Sequence, residues 1–259
     1  MLRLKKFFIY FLKESKKLSA LSCRFVQLTG KSKYLIHPKH LVKDKQQWYL
    51  KEINHNDFVL DLGCGNGQQT IKVAKKCKKV IGLDYNYQQL HIARKIAEDQ
   101  DVKNVEFRQS NLEAKLKFKS NFFDKIFCLD VLEHIYNRKL LLNEIKRLLK
   151  KNGILFISVP NKNTSWKKIQ KKAGLNYYAD PDHKIEYSLK QIKLILIKAG
   201  FLILSIEPIV YDTPWVGFID LIGGFSLPSY KKLMIWKKTK LAKSLKESTG
   251  FRIKAKKNN

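Results

Sequence analysis

The sequence is short of acid. Asp and Glu number 22 against 52 Lys and Arg, which leaves a formal charge of +30 at pH 7. Arginine is scarce within that excess, and lysine outnumbers it roughly six to one. Arg reads bases and phosphates through a planar, bidentate fork, whereas Lys is a point charge suited to a diffuse anionic surface such as a membrane leaflet. The shortage of Arg therefore weighs against a nucleic-acid partner. The four cysteines, Cys23, Cys64, Cys77 and Cys128, contain no CxxC pair. Neither a zinc site nor a disulfide framework is expected, nor any metal, and a reducing cytoplasm is the natural location. The N-terminal apolar run, Phe7 to Leu12, is broken at once by Lys13, Glu14, Lys16 and Lys17. It is too short for a secretory signal or a spanning helix.

What is present is unevenly distributed. Residues 1–50 and 231–259 each carry a net charge of about +10, as much as the long middle. Residues 1–50 read as a basic helical extension with an apolar face of Leu2, Leu4, Phe7, Phe8 and Phe11, broken at Pro38 between His37 and His40 before Leu41 to Ile53. From Phe58 onward, strand-like runs alternate with helical patterns. The predicted strands are 58–62, 79–83, 105–109, 125–129, 154–159, 201–207 and 250–255. The predicted helices are 68–75, 87–98, 140–150 and 189–199, with residues 160–188 largely polar. This order predicts an α/β fold, a Rossmann-like, mostly parallel sheet of seven strands with helices on both faces. Its ligand is expected beyond the carboxyl ends of the strands.

The first strand-to-helix turn carries the chemistry. Gly63, Gly65 and Gly67 alternate with Cys64 and Asn66, two residues after Asp61. Glycine lets a ligand approach the backbone, and the following helix offers free N–H groups. A dinucleotide fingerprint would place its third glycine at position 68, which is Gln. The turn therefore fits a cofactor without a pyrophosphate.

The stretch Asp61-Leu62-Gly63-Cys64-Gly65-Asn66-Gly67 resembles the first motif of class I S-adenosylmethionine-dependent methyltransferases. Asp84, at the end of Val80-Ile81-Gly82-Leu83-Asp84, matches their acidic residue after the second strand. Asp130-Val131-Leu132-Glu133-His134-Ile135 resembles the D-x-L-E-H-I stretch of the small-molecule members. Leu148 to Asn161 and Asp182 to Ser188 resemble their later segments, with Lys151 and Asn152 where proline and glycine are usual. The resemblance covers roughly residues 50–208 and the last strand. It implies S-adenosylmethionine as cofactor. Asp61 would then position the methionine end, with Gly63, Cys64, Gly65 and Gly67 wrapping the sugar and methionine. Asp84 would accept from the ribose hydroxyls, Tyr85 would lie against the adenine, and Asn111 with Leu112 and Leu129 would complete the pocket. Asn111 stands where an Asp is common, so its contact with the adenine is expected to be weaker. His134 and His183 are the candidate bases for a hydroxyl acceptor, since imidazole titrates near neutral pH. No N-P-P-Y-like string follows the fourth strand, which counts against methylation of an adenine or glutamine nitrogen.

Between Lys198 and Lys231 there is no basic residue. An insertion at 209–248 holds the apolar cluster Trp215, Val216, Phe218, Ile219, Leu221, Ile222 and Phe225, then a basic stretch from Lys231 to Lys246. Aromatics beside lysines suit an interfacial segment; a lid over the active site is the other reading. The sequence is thus read as an extension at 1–50 and a methyltransferase domain at 51–259. It would O-methylate a small or lipid-linked acceptor (a glycan, a quinone precursor or a lipid) at an anionic membrane surface on the cytoplasmic side. An RNA methyltransferase using the basic ends and a non-catalytic cofactor-binding protein are the alternatives.

Overall fold

The computed structural model describes residues 2–42, 48–241 and 245–258, with only the backbone of Leu2. Helices α1 (Leu2–Glu14), α2 (Leu18–Leu28) and the short α3 (Pro38–Leu41) precede the sheet. Then come β1 (Phe58–Leu62), α4 (Gln68–Ala74), β2 (Lys79–Asp84), α5 (Tyr87–Asp99), β3 (Val105–Gln109), β4 (Phe123–Leu129), α6 (Arg138–Leu148) and β5 (Leu149–Pro160). The chain continues with α7 (Ser165–Lys172), α8 (Leu189–Lys198), β6 (Phe201–Pro208), α9 (Val216–Phe225), α10 (Leu227–Leu241) and β7 (Gly250–Lys257). These elements divide into two compact units, one of residues 46–160, 182–207 and 251–259, the other of 1–45, 161–181 and 208–250.

The first unit holds the seven-stranded sheet, in the order β3-β2-β1-β4-β5-β7-β6. β1 pairs in parallel with β2 and β4, and β2–β3 and β4–β5 are parallel too. The strands form because their apolar runs are buried: Leu60, Leu62, Val80, Ile126, Leu155 and Ile157 are nearly inaccessible. Parallel strands covered by helices on both faces read as continuous apolar runs, as these do. Side-chain caps start the helices. Asn86 accepts from the Gln89 N–H at α5, Asn137 from Leu140 at α6, and Ser188 forms a capping box with Gln191 at α8.

The sheet departs from the predicted boundaries in one instructive place. Residues 149 and 150, predicted as the end of a helix, belong to β5, and α6 begins two residues earlier than predicted. Leu149 is fully buried opposite Phe123, so strand pairing takes it from the helix. The same pairing starts β4 at Phe123 and shifts its register before Lys125. β7 runs on to Lys257, past the predicted end at 255.

The second unit brings together three stretches remote in sequence. α9 packs through glycines on α2 and on the turn before it: a Cβ on Gly217 would stand 1.9 Å from the carbonyl oxygen of Ser15 in that turn, and one on Gly224 would stand 2.8 Å from Phe25 Cβ of α2. Buried Asp220 of α9 anchors this packing. It accepts from Ser19 at 2.6 Å and Tyr230 at 3.2 Å and lies 3.3 Å from His37 Nε2. Burial works against its charge, but His37, Ser19 and Lys237 outweigh burial and hold its carboxyl below the usual range. The polar stretch after Pro160 contains α7, which the sequence reading left unstructured; Thr164 caps it and also donates to Asp212. The basic stretch predicted from Lys231 to Lys246 is helical up to Leu241 as part of α10; residues 242–244 lie outside the described ones, as do 43–47 within the predicted segment Leu41–Ile53. No helix among the described residues is long and apolar enough to cross a membrane.

Candidate active site

The site follows from the sheet order. Crossovers leave β1 and β4 in opposite directions, so the loops after these adjacent strands part and leave a crevice. Pairing of Leu62 with Leu83 and Cys128, of Asp84 with Gln109, and of Leu129 with Ser158 brings the carboxyl ends of five strands to one edge. The candidate cofactor residues and both histidines belong to this sheet unit.

The glycine loop has the backbone that glycine alone supplies cheaply. Gly63 and Gly67 have φ of 69° and 73°, and Gly67 opens α4. A Cβ on Gly63 would come within 2.4 Å of Val131 Cγ2, whereas one on Gly65 would meet nothing within 4 Å. That open space at the crest of the loop leaves room for a ligand to meet the backbone. Asp84 ties the loop to β2: its Oδ2 accepts from the Gly65 N–H at 2.7 Å and its Oδ1 from Asn86 at 2.8 Å. Each oxygen keeps a second lone pair for a ligand hydroxyl. The Cys64 thiol packs against Gly82 and burial pushes its pKa up, so Cys64 faces the loop's inside and offers a ligand only backbone.

Asp61 is buried, accepts from the Thr70 hydroxyl at 2.6 Å, and is pushed up to about 7, by burial first and by the charge of Asp84 besides. A buried carboxylate with a second one nearby calls for a cation. S-adenosylmethionine carries an ammonium and a sulfonium, so the residues present fit it. Beyond β2, Tyr85 is 75% exposed and its carbonyl accepts from Gln109, leaving its ring open to a ligand. Leu112 is buried and Leu129 half-buried, as apolar walls. The Asn111 side-chain carbonyl accepts from the Glu113 N–H at 2.9 Å, so one of its lone pairs is committed to its own turn.

At the end of β4, Asp130 has φ of 57°, a left-handed conformation that non-glycine residues rarely adopt. Ser158 holds it there, donating to Asp130 Oδ1 at 2.7 Å while its carbonyl accepts from the Asp130 N–H. Strain of this kind concentrates at functional sites. The turn of 3₁₀ helix that follows, Leu132–His134, delivers Glu133 and His134. Burial pushes up the Cys128 thiol, and the charges of Glu133, Asp61 and Asp130 add to it, so carboxylates from both loops crowd this strand end.

His134 and His183, 49 positions apart in sequence, meet edge to face with ring centroids 4.8 Å apart. His183 Nδ1 lies 3.0 Å from Glu186 Oε1, and its Nε2 lies 3.9 Å from Glu133 Oε1. Both carboxylates are almost wholly buried. Backbone holds the pair in place, since the Lys184 N–H donates to the Glu133 carbonyl at 2.8 Å. Sequence reasoning singled out both histidines but gave no role to Glu186, whose signal is its position three residues after His183. No metal site is expected from the sequence, yet one donor atom from each of Glu133, His134 and His183 lies within 4.8 Å of the others. A proton acceptor and a divalent cation are both chemically compatible with that cluster.

Residues 53–208 match the methyltransferase domain family. The chain is 29% identical over 157 residues to the ubiquinone biosynthesis O-methyltransferase of Yersinia enterocolitica, covering 59% of this chain and 63% of that one. It is 31% identical over 105 residues to the Acinetobacter baylyi protein of the same name, covering 40% and 44%. The chain thus spans less than two thirds of the length of these relatives. Among solved structures it is similar to the YcgJ protein of Bacillus subtilis (TM-score 0.59, 19% identity, 82% of this chain and 97% of that one). It is also similar to an S-adenosylmethionine-dependent methyltransferase of Mesorhizobium loti (TM-score 0.58, 16% identity, 83% and 99%). The chain belongs to the methyltransferase domain family, and its sheet order and glycine loop are those of the class I S-adenosylmethionine-dependent fold.

Proposed function

We propose that this protein transfers a methyl group from S-adenosylmethionine to a hydroxyl of an apolar quinone precursor, working from the cytoplasm at a membrane surface. The observation that carries the chemistry is the His134–His183 cluster at the same strand edge as the glycine loop. The names of the relatives support an aromatic hydroxyl as acceptor. When bound, S-adenosylmethionine supplies a methyl carbon already activated by its sulfonium. Asp61 and Asp84 bind and orient it, the first through charge and the second through hydroxyls. The histidine pair would take the proton of the acceptor hydroxyl, freeing its oxygen to receive the methyl group that the cofactor supplies. Glu186, on Nδ1 of His183, fixes the tautomer and leaves Nε2 to accept. Both histidines are half-buried, and the two single variants decide which of them takes the proton.

Labelled methyl transfer to a soluble catechol tests this. His134→Ala and His183→Ala are expected to lower kcat by about a hundredfold or more for the residue that takes the proton, with cofactor affinity kept. Intact turnover in both would refute the base. The convergence of Glu133, His134 and His183 supports one second reading, a divalent cation holding the acceptor oxygen. Loss of activity on chelation, restored by one added metal, favours that reading; indifference to chelator favours the base.

A further inference from the structure

α1 has apolar residues on two sides, and only one side is used. Ile9 and Leu12 are buried in their unit. Leu4, Phe7, Phe8 and Phe11, spaced i, i+3, i+4 and i+7, form a single stripe that is 49–77% exposed. The stripe does not end with the helix. Phe11 meets Phe218 of α9 at a centroid distance of 6.4 Å, and Phe218 meets Trp215 at 5.9 Å. From there Ile222 and Phe225, on the same face of α9, carry exposed apolar surface along the second helix. Glycines 217, 223 and 224 occupy the opposite, packed face of α9 together with buried Ile219 and Asp220, so Ile222 and Phe225 are turned outward. Single exposed apolar residues need no explanation, but a surface continuous over two helices does.

We propose that the joined outer faces of α1 and α9 insert into the interface of an anionic lipid bilayer. Charge selects this occupant. The unit of residues 1–45, 161–181 and 208–250 has 24 of the 52 Lys and Arg but only 6 of the 22 Asp and Glu. Of those few acids Asp212 and Asp220 are spent on internal hydrogen bonds and Glu14 on Lys17. Arg3, Lys5 and Lys6 are exposed on α1 beside the aromatic stripe. Aromatic side chains enter the headgroup region while lysines meet acidic lipid, which is how an in-plane amphipathic helix binds. A second copy of the chain on this face would bring those cations against their own counterparts, which disfavours a dimer. The inference rests on the membrane part of the proposed function and not on its chemistry.

Flotation of the full chain with vesicles tests it, using phosphatidylcholine alone and phosphatidylcholine with one third phosphatidylglycerol. Binding to the anionic vesicles is expected, weakening as salt is raised. Phe7→Ser and Phe8→Ser, both at exposed positions, should each weaken it about tenfold, with the circular dichroism of the folded protein unchanged. Absence of wild-type binding at low salt overturns the proposal. So does binding that a variant carrying both Phe7→Ser and Phe8→Ser retains, or a dimer in sedimentation velocity that the same variant dissolves. Cofactor calorimetry and transfer to the soluble catechol are read in parallel. Failure there strikes the chemistry alone, and failure on vesicles strikes the membrane face alone.

Discussion

Asp61→Asn separates the two things the buried carboxylate does. The Asp61 carboxyl is raised from its ordinary 3.8 to about 7, chiefly by burial. An acid with a raised folded pKa burdens the fold only where it is ionised. Its cost is absent below the unfolded value, grows as pH climbs through the window between the two, and is complete above about 7. Three units correspond to roughly 4 kcal/mol at alkaline pH. The cationic cofactor needs the ionised form. Binding must therefore release a proton below about pH 7, and affinity should fall up to about tenfold for each further unit of acid. Asn has the shape of Asp and can still accept from Thr70. The variant should be more stable than the wild type at about pH 8, by a share of that 4 kcal/mol, and indistinguishable from it near pH 4. Its cofactor affinity should be about 10–100 times lower, the worth of one hydrogen bond to a charged group, with the pH dependence gone. Thermal denaturation across pH and calorimetry in buffers of different ionisation heat read both. Wild-type affinity that stays flat between about pH 5 and 7, with no proton release, would refute the reasoning.

The glycine loop and the helical unit give two more. Gly63→Ala sets a Cβ 2.4 Å from Val131 Cγ2 at φ 69°, so it should cost about 1–3 kcal/mol in denaturant titration as well as cofactor binding. Gly65→Ala has open space and should lose cofactor affinity with a smaller loss of stability, which calorimetry and melting together distinguish. Asp220→Ala removes the acceptor of Ser19 and Tyr230 and leaves the ammonium of Lys237, whose pKa burial lowers, with Asp212 as the remaining nearby carboxylate. A loss of about 3 kcal/mol is expected. The wild-type contribution of Asp220 should itself fade as acid protonates it, because its folded pKa is depressed.

The sequence disclosed local features and concealed those built from distant parts. The glycine turn, Asp61 and Asp84 lie within 24 residues, and their spacing alone separates this loop from a dinucleotide site. The strands were visible because a buried parallel strand is a continuous apolar run. The end of α6 was not, because Leu149 suits a helix and a strand equally and only its pairing with Phe123 decides. α7 reads as a polar stretch because the residues it buries are Lys167 and Gln170, although Thr164 has the form of a cap. Both histidines were legible, but neither their contact nor the carboxylates around His183 can be read from separate segments. Asp130 gave no sign of its left-handed backbone, which Ser158 of β5 stabilises. The gathering of residues 1–45, 161–181 and 208–250 into one unit is likewise invisible to periodicity. The lysine-free stretch and the apolar N-terminus, noticed separately, turn out to share one face through Phe11 and Phe218.

The most direct test of methyl transfer to an apolar hydroxyl is to incubate the protein with methyl-labelled S-adenosylmethionine and a membrane extract, then partition the products. The account predicts label in the organic phase, on an aromatic ether that survives mild base, and none when Asp84 is replaced by Ala. Label confined to RNA or protein, or no measurable binding of S-adenosylmethionine at all, would contradict it.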